Sequence, residues 1–204
     1  MAAVSITHLL LVRHGESEWN AAGRWQGQAD PPLTALGRHQ AAVAGARIAA
    51  LHAEAPFDIA IASDLQRALI TASIIADHLA LGTVTAMAEL RERHAGSWQG
   101  LTRAEIDAQW PGAIAARQWP DGYEPDEDIM ARLLPALAAL AESRRGQRIV
   151  AVAHGGLIRA LDRYLEAPEA SMPNLAGRWY ELDTPIRPGE HLELVPSDLE
   201  FSIE

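Results

Sequence analysis

Neither cysteine nor lysine occurs anywhere in the 204 residues, so all 17 basic side chains are arginine. The missing cysteine excludes a thiol nucleophile, a disulfide framework, Cys-ligated zinc and iron–sulfur clusters. The missing lysine excludes Schiff-base and pyridoxal chemistry and a Walker-type phosphate-binding lysine. Long apolar runs are missing as well. No stretch approaches the roughly 18 residues that a membrane span needs. The run 9–12 is too short for a signal-peptide core and has no basic flank before it. Positive charge is in deficit, with a net charge of -10, which argues against a nucleic-acid partner. The covalent nucleophiles left are Ser, Thr, Tyr, Asp, Glu and His, and His occurs eight times.

What is present describes a soluble globular protein: 49% hydrophobic and 22% charged residues. The length fits a single domain over residues 1–204 that buries a sizeable core. Alanine, used 39 times, favours helices. With no targeting segment in view, the cytoplasm is the default compartment.

Short apolar runs alternate with long amphipathic ones. Residues 6–13 read as a buried strand ending in Arg13-His14-Gly15-Glu16. Thr34 can N-cap a helix to about His52, with Leu36, Val43, Ile48 and Leu51 as its apolar stripe. Residues 57–62 read as a second strand. Ser63-Asp64-Leu65-Gln66 has the form of a capping box opening a helix to about Leu79. Residues 83–88 are a third strand, and Thr102-Arg103-Ala104-Glu105 is a second capping box whose helix Pro111 stops. The stretch 110–125, with three Pro and two Gly, is a loop or broken helix. A strong helix over 126–143 follows, then a buried strand over 148–153. Helix returns over 157–165, and short strands are expected at 179–182 and 191–195. This alternation predicts an α/β fold with a mostly parallel sheet. In such sheets sites form beyond the carboxyl ends of strands, which selects residues 13–20, 63–67 and 154–156.

The first of those turns sets an imidazole beside a guanidinium, with Gly15 allowing close backbone approach, a plausible phosphate site. A salt-bridged surface turn is the plain alternative. The last turn, His154-Gly155-Gly156, places a helix N-terminus where an anion would be favoured, although glycines loosening a helix start would look the same. In the middle turn Arg67 stands in the first turn of a helix, where the dipole opposes a cation. A bound anion explains that choice, and a solvated arginine is the commoner outcome.

Taken together the strings resemble the histidine phosphatase superfamily, also called phosphoglycerate-mutase-like, over residues 7–161. The strings are Leu11-Val12-Arg13-His14-Gly15-Glu16-Ser17 with Trp19-Asn20, and Gln26-Gly27 with Pro32-Leu33-Thr34 and Leu36-Gly37. Then come Ser63-Asp64-Leu65-Gln66-Arg67-Ala68 with Thr71-Ala72, Leu90-Arg91-Glu92-Arg93 with Gly96, Trp98 and Gly100, and His154-Gly155-Gly156-Leu157-Ile158-Arg159. The resemblance implies a three-layer α/β/α sandwich with a mostly parallel central sheet. It also implies a phosphohistidine mechanism without metal or other cofactor. His14 is the nucleophile; Arg13, Arg67, His154, Asn20 and the backbone of Gly155 hold the phosphoryl oxygens. Glu92 protonates the leaving oxygen and later deprotonates water, with Glu89 as the rival acid. Such a double role favours a carboxyl that holds a proton near neutral pH.

Mutases of the family usually carry Asn where this chain has Gly156, Tyr where it has Ala95, and a longer inserted segment. The resemblance therefore implies the phosphatase branch, with a phosphoglycerate mutase or a silent phospho-ligand binding module as alternatives. The expected partner is a small phosphorylated metabolite, not nucleic acid or membrane, and its identity is open. Residues 21–28, 92–99 and 110–123 are expected to choose among substrates, with Gln26 and Gly27 named for contact. A homodimer is one option for the oligomeric state. Glu124, Asp126, Glu127 and Asp128 are read as a helix start enriched in carboxylates, not as a metal site. His8, His39, His52, His78 and His191 are assigned to structure or solvent, and His94 is left open.

Overall fold

Along the first strand, β1 (Thr7–Arg13), Leu9 and Leu11 join one apolar cluster while Leu10 and Val12 join another, all four without exposure. A strand apolar on both faces belongs in the middle of a layered structure. The computed structural model describes residues 5–196 and Leu199, and among these a six-stranded sheet has the order β3-β2-β4-β1-β5-β6. Its strands are β2 (Ile59–Ser63), β3 (Thr85–Met87), β4 (Arg148–Ala153), β5 (Ala176–Leu182) and β6 (Arg187–Glu193). The first four neighbours run parallel, and β5 and β6 add an antiparallel edge.

Helices cover both faces, so the fold is the expected three-layer α/β/α sandwich. Short α1 (Glu18–Ala21) and α4 (Arg103–Gln109) lie in connections. On one face α2 (Ala35–Glu54) and α3 (Gln66–Leu79) pack Ala44, Ile48, Ala72 and Ile75 over Leu10 and Val12. On the other, α5 (Asp126–Ser143) and α6 (Gly155–Tyr164) pack Ile129, Leu133, Leu157 and Leu161 over Leu9 and Leu11. No described helix is long and apolar enough to cross a membrane.

The bounds of α5 and β4 coincide with the sequence reading, as do the Thr34 cap and the Thr102 capping box. Four readings need correction. The buried face of α2 is Gly37, Ala41, Ala44, Gly45 and Ile48, and Leu36 and Val43 are only half-buried. Small residues let α3 come close: a methyl on Gly45 would sit 2.6 Å from the His78 ring. Large apolar residues were therefore a misleading guide to the contact face. Second, α3 begins at Gln66 without a capping box. The Gln66 backbone N–H instead donates to Asp30 Oδ1, from a distant loop, at 2.8 Å. Third, α6 starts at Gly155, two residues early, because its cap is also borrowed, from Glu92. Fourth, the terminal strands are longer than expected and β6 lies earlier. Pro188 and Gly189 obscure its alternation, which is tolerable on an edge.

A buried polar group fixes α6 against the sheet. Asp162 accepts from the Tyr180 hydroxyl at 2.6 Å and pairs with Arg178 at 3.1 Å.

Candidate functional site

Strands β2, β4 and β1 are neighbours, and their carboxyl ends deliver the three turns singled out from the sequence to one place. A cavity of about 750 Å³ opens there. Arg13, His14, Asn20, Gln26, Gly27, Arg67, Glu92 and Gly155 all line it. His154 lies beneath, its ring 5.1 Å from that of His14. Glu89 is exposed and takes no part in the wall. His94 lies outside the cavity and accepts from Gly96 N–H at 3.0 Å.

His14 is 2% exposed, and its Nδ1 lies 2.6 Å from the Gly15 carbonyl. A carbonyl only accepts, so Nδ1 carries the proton and Nε2 keeps a free lone pair. Burial holds His14 well below the ordinary histidine range, aided by the positive charges of Arg67 and Arg13. His154, with no exposure, is held low by burial and then by Arg67, His14 and Arg13. Neither of its ring nitrogens has a hydrogen-bond partner in the protein.

Arg67 is also fully buried, and burial pushes it down to about 10. Its two terminal nitrogens donate to the carbonyls of Ala29 (2.6 Å) and Gly27 (3.0 Å), while Nε is unpartnered. Arg13 is likewise lowered to about 10, by burial first and by Arg159 second, and donates to the Met172 carbonyl at 2.7 Å. Buried donors without partners are unusual in folded proteins and mark a place prepared for acceptors. Asn20 caps α1 with Ser17 and receives Asn174 Nδ2 at 3.2 Å. Gln26 accepts from the Ser17 hydroxyl at 2.8 Å.

Glu92 is fixed from two sides: Oε1 accepts from Arg93 N–H at 2.9 Å and Oε2 from Gly156 N–H at 2.8 Å. The second contact depends on glycine, because a Cβ at Gly156 would lie 2.3 Å from Oε1.

Sequence reasoning missed several parts. Arg93 clamps the Tyr123 hydroxyl, the Glu124 carbonyl and Asp126, and thereby holds the loop that carries Glu92. Residues 168–175 carry no motif, yet Met172 and Asn174 brace Arg13, the His14 carbonyl and Asn20. Of the carboxylates read as a helix start, Glu124 pairs with Arg132, and Asp126 with Arg93 and Arg163. A wall of Trp25, Trp119 and Tyr123 completes the cavity, the last two stacked at 4.5 Å. All three fall inside segments 21–28 and 110–123, which the sequence reading named for substrate choice without singling out these residues.

The two buried imidazoles make a pH prediction. Unfolded, they titrate near the ordinary value of about 6.5. Folded, both stay neutral well below it. The unfolded state therefore binds more protons below that pH. Stability is full above about pH 6.5 and declines as pH falls through it. The urea midpoint should drop between about pH 7.5 and 5.5, and His154→Gln should remove part of that drop. Identical declines in the two proteins would contradict the assignment.

Fold and site together define an α/β phosphoryl-transfer scaffold built around a buried neutral histidine. The sequence profile of the histidine phosphatase superfamily, branch 1, matches residues 9–181. A glucosyl-3-phosphoglycerate phosphatase of Mycobacterium tuberculosis is 40% identical over 205 residues, spanning 92% of this chain and 90% of that one. A metal-independent phosphoserine phosphatase of Arabidopsis thaliana is 38% identical, spanning 81% and 71%. The structure of mycobacterial glucosyl-3-phosphoglycerate phosphatase with VO3 superposes with a TM-score of 0.75 at 37% identity, covering 85% of this chain and 90% of that one. Phosphoglycerate mutases also appear among the relatives, at lower identity. The protein belongs to the histidine phosphatase superfamily.

Proposed function

We infer that this protein is a phosphatase that hydrolyses a small phosphomonoester through a phosphohistidine on His14. One observation carries the reading: a buried neutral imidazole with its Nε2 lone pair free, beside the unpartnered donors of Arg67 and His154. The names of the relatives support it, since glucosyl-3-phosphoglycerate and phosphoserine are both small phosphomonoesters.

Phosphoryl transfer asks the protein for positioning and positive charge around the equatorial oxygens. Arg13 and Arg67 supply that charge and His154 adds a neutral N–H donor, with Asn20 and Gly155 completing the cradle. His14 Nε2 attacks phosphorus in line, and the P–O ester bond breaks as the N–P bond forms. Glu92 gives its proton to the departing alcohol oxygen. It then takes a proton from water, whose oxygen displaces His14 and yields inorganic phosphate. Gln26 and Gly27, at the cavity wall, are placed to meet the alcohol portion.

Rapid alkaline quench of the enzyme with labelled substrate tests this, since phosphohistidine is labile to acid and stable to alkali. The expected result is an alkali-stable label on His14 and free phosphate from 3-phosphoglycerate. Formation of 2-phosphoglycerate without phosphate release would make the protein a mutase instead. Ala95 and Gly156, both at the site, favour the hydrolase.

A further inference from the structure

Glu92 sits on a stretch of chain, residues 91–94, that belongs to no helix or strand. Its backbone carbonyls have no ladder partners, and those turned away from water must be answered by something else. One side chain answers most of them. Arg132, half-buried on α5, donates from Nη1 to the Glu89 carbonyl at 2.5 Å. Its Nη2 donates to the carbonyls of Arg91 at 2.8 Å and Glu92 at 3.4 Å.

The same guanidinium is held from the far side of the loop by a carboxylate. Nε meets Glu124 Oε1 at 2.7 Å and Nη2 meets Oε2 at 3.1 Å, a two-pronged pair. Glu124 in turn grips residue 94. Its Oε2 accepts from His94 N–H at 3.0 Å, and its own N–H donates to the His94 carbonyl at 3.0 Å. Arg132 thus holds the main chain before and at Glu92, and Glu124 holds it just after. Carbonyls crowded around one point repel one another unless a cation sits among them, and the planar fork of arginine reaches several at once.

Two features separate this pair from an ordinary staple. Every hydrogen bond of the Arg132 side chain goes to residues 89–92 or to Glu124. Neither Arg132 nor Glu124 lines the cavity, and of the residues they grip only Glu92 does. The carboxyl end of Glu92 is tied to Arg93 N–H and Gly156 N–H, and its main-chain end is tied to Arg132.

Resting on the phosphatase reading, with Glu92 as its acid, we propose that Arg132 and Glu124 are positioning residues for that acid. Their ion pair sets how far the Glu92 carboxyl reaches toward the departing oxygen. A displacement of about 1 Å at such a group costs up to about 10²-fold in rate. Binding of the phosphoryl group, held by other residues, is left alone.

Steady-state kinetics of Arg132→Gln on 3-phosphoglycerate and p-nitrophenyl phosphate test this. The kcat on the alcohol ester should fall by about 10- to 100-fold and on the aryl ester by less than about threefold. KM and the inhibition constant of inorganic phosphate should not move. Glu124→Gln should show the same split, and Arg132→Lys, which keeps the charge but not the fork, should restore only part of the rate. Added to Glu92→Gln, Arg132→Gln should cause no further loss, because the group it positions is already gone.

Equal slowing of both esters, weakened inhibition by phosphate, or full additivity in the double variant overturns the proposal. So does an Arg132→Gln protein as active as the wild type. A split in Glu92→Gln without one in Arg132→Gln overturns this proposal alone, whereas no split in Glu92→Gln removes the acid assignment and the proposal with it. Should Arg132→Gln unfold below the assay temperature, Glu124→Gln and Arg132→Lys carry the same comparison of esters.

Discussion

His14→Ala should lower hydrolysis of every phosphomonoester by on the order of 10⁴-fold or more, and abolish the phosphoenzyme. The magnitude follows from losing the covalent route altogether, since residual catalysis is limited to what the oxyanion donors supply alone. No neighbouring group can take over. His154 is fully buried behind the site, and the chain has no thiol or amine nucleophile. The arginines hold their positions independently, through the carbonyls of Met172, Ala29 and Gly27. The variant should therefore still bind inorganic phosphate, measured by calorimetry, while turnover of p-nitrophenyl phosphate disappears. Retention of a tenth of the wild-type rate would assign the nucleophile elsewhere.

The second large effect concerns the acid. Glu92→Gln should slow esters of alcohols by about 10²- to 10⁴-fold, the range expected for a positioned general acid–base group. Aryl phosphates should slow much less, because their leaving groups need little protonation. Gly156→Ala should reproduce this pattern without touching the carboxyl chemically. Its methyl, 2.3 Å from Glu92 Oε1, displaces the side chain from the α6 N-terminus. The change should fall on kcat more than KM. Equal slowing of alcohol and aryl esters by Glu92→Gln would remove Glu92 from the acid role. Glu89→Gln, exposed and outside the cavity, would then be the variant to examine.

Much of this site was legible because its residues sit where apolar strands stop. Arg13-His14 ends β1 and His154-Gly155 follows β4, so strand periodicity and motif point to one address. The helix beginnings were less legible. Those of α3 and α6 are capped by Asp30 and Glu92, residues remote in sequence, and a local capping pattern cannot register a borrowed carboxylate. Residues 168–175 were silent for a related reason. Met172 contributes a backbone carbonyl, a group that every residue has.

The sheet order bears on how the chain reaches this state. The first strand made is a central one: Leu9 pairs with Ile149 on one side and with Tyr180 on the other. Until those distant segments leave the ribosome, a strand with four consecutive apolar residues at its centre has no partner, and His14, the proposed nucleophile that follows it, has no pocket. Contacts so remote in sequence make folding slow and leave an aggregation-prone segment uncovered meanwhile. Activity in a nascent chain should accordingly arrive late and all at once, when β4 and then β5 close around β1.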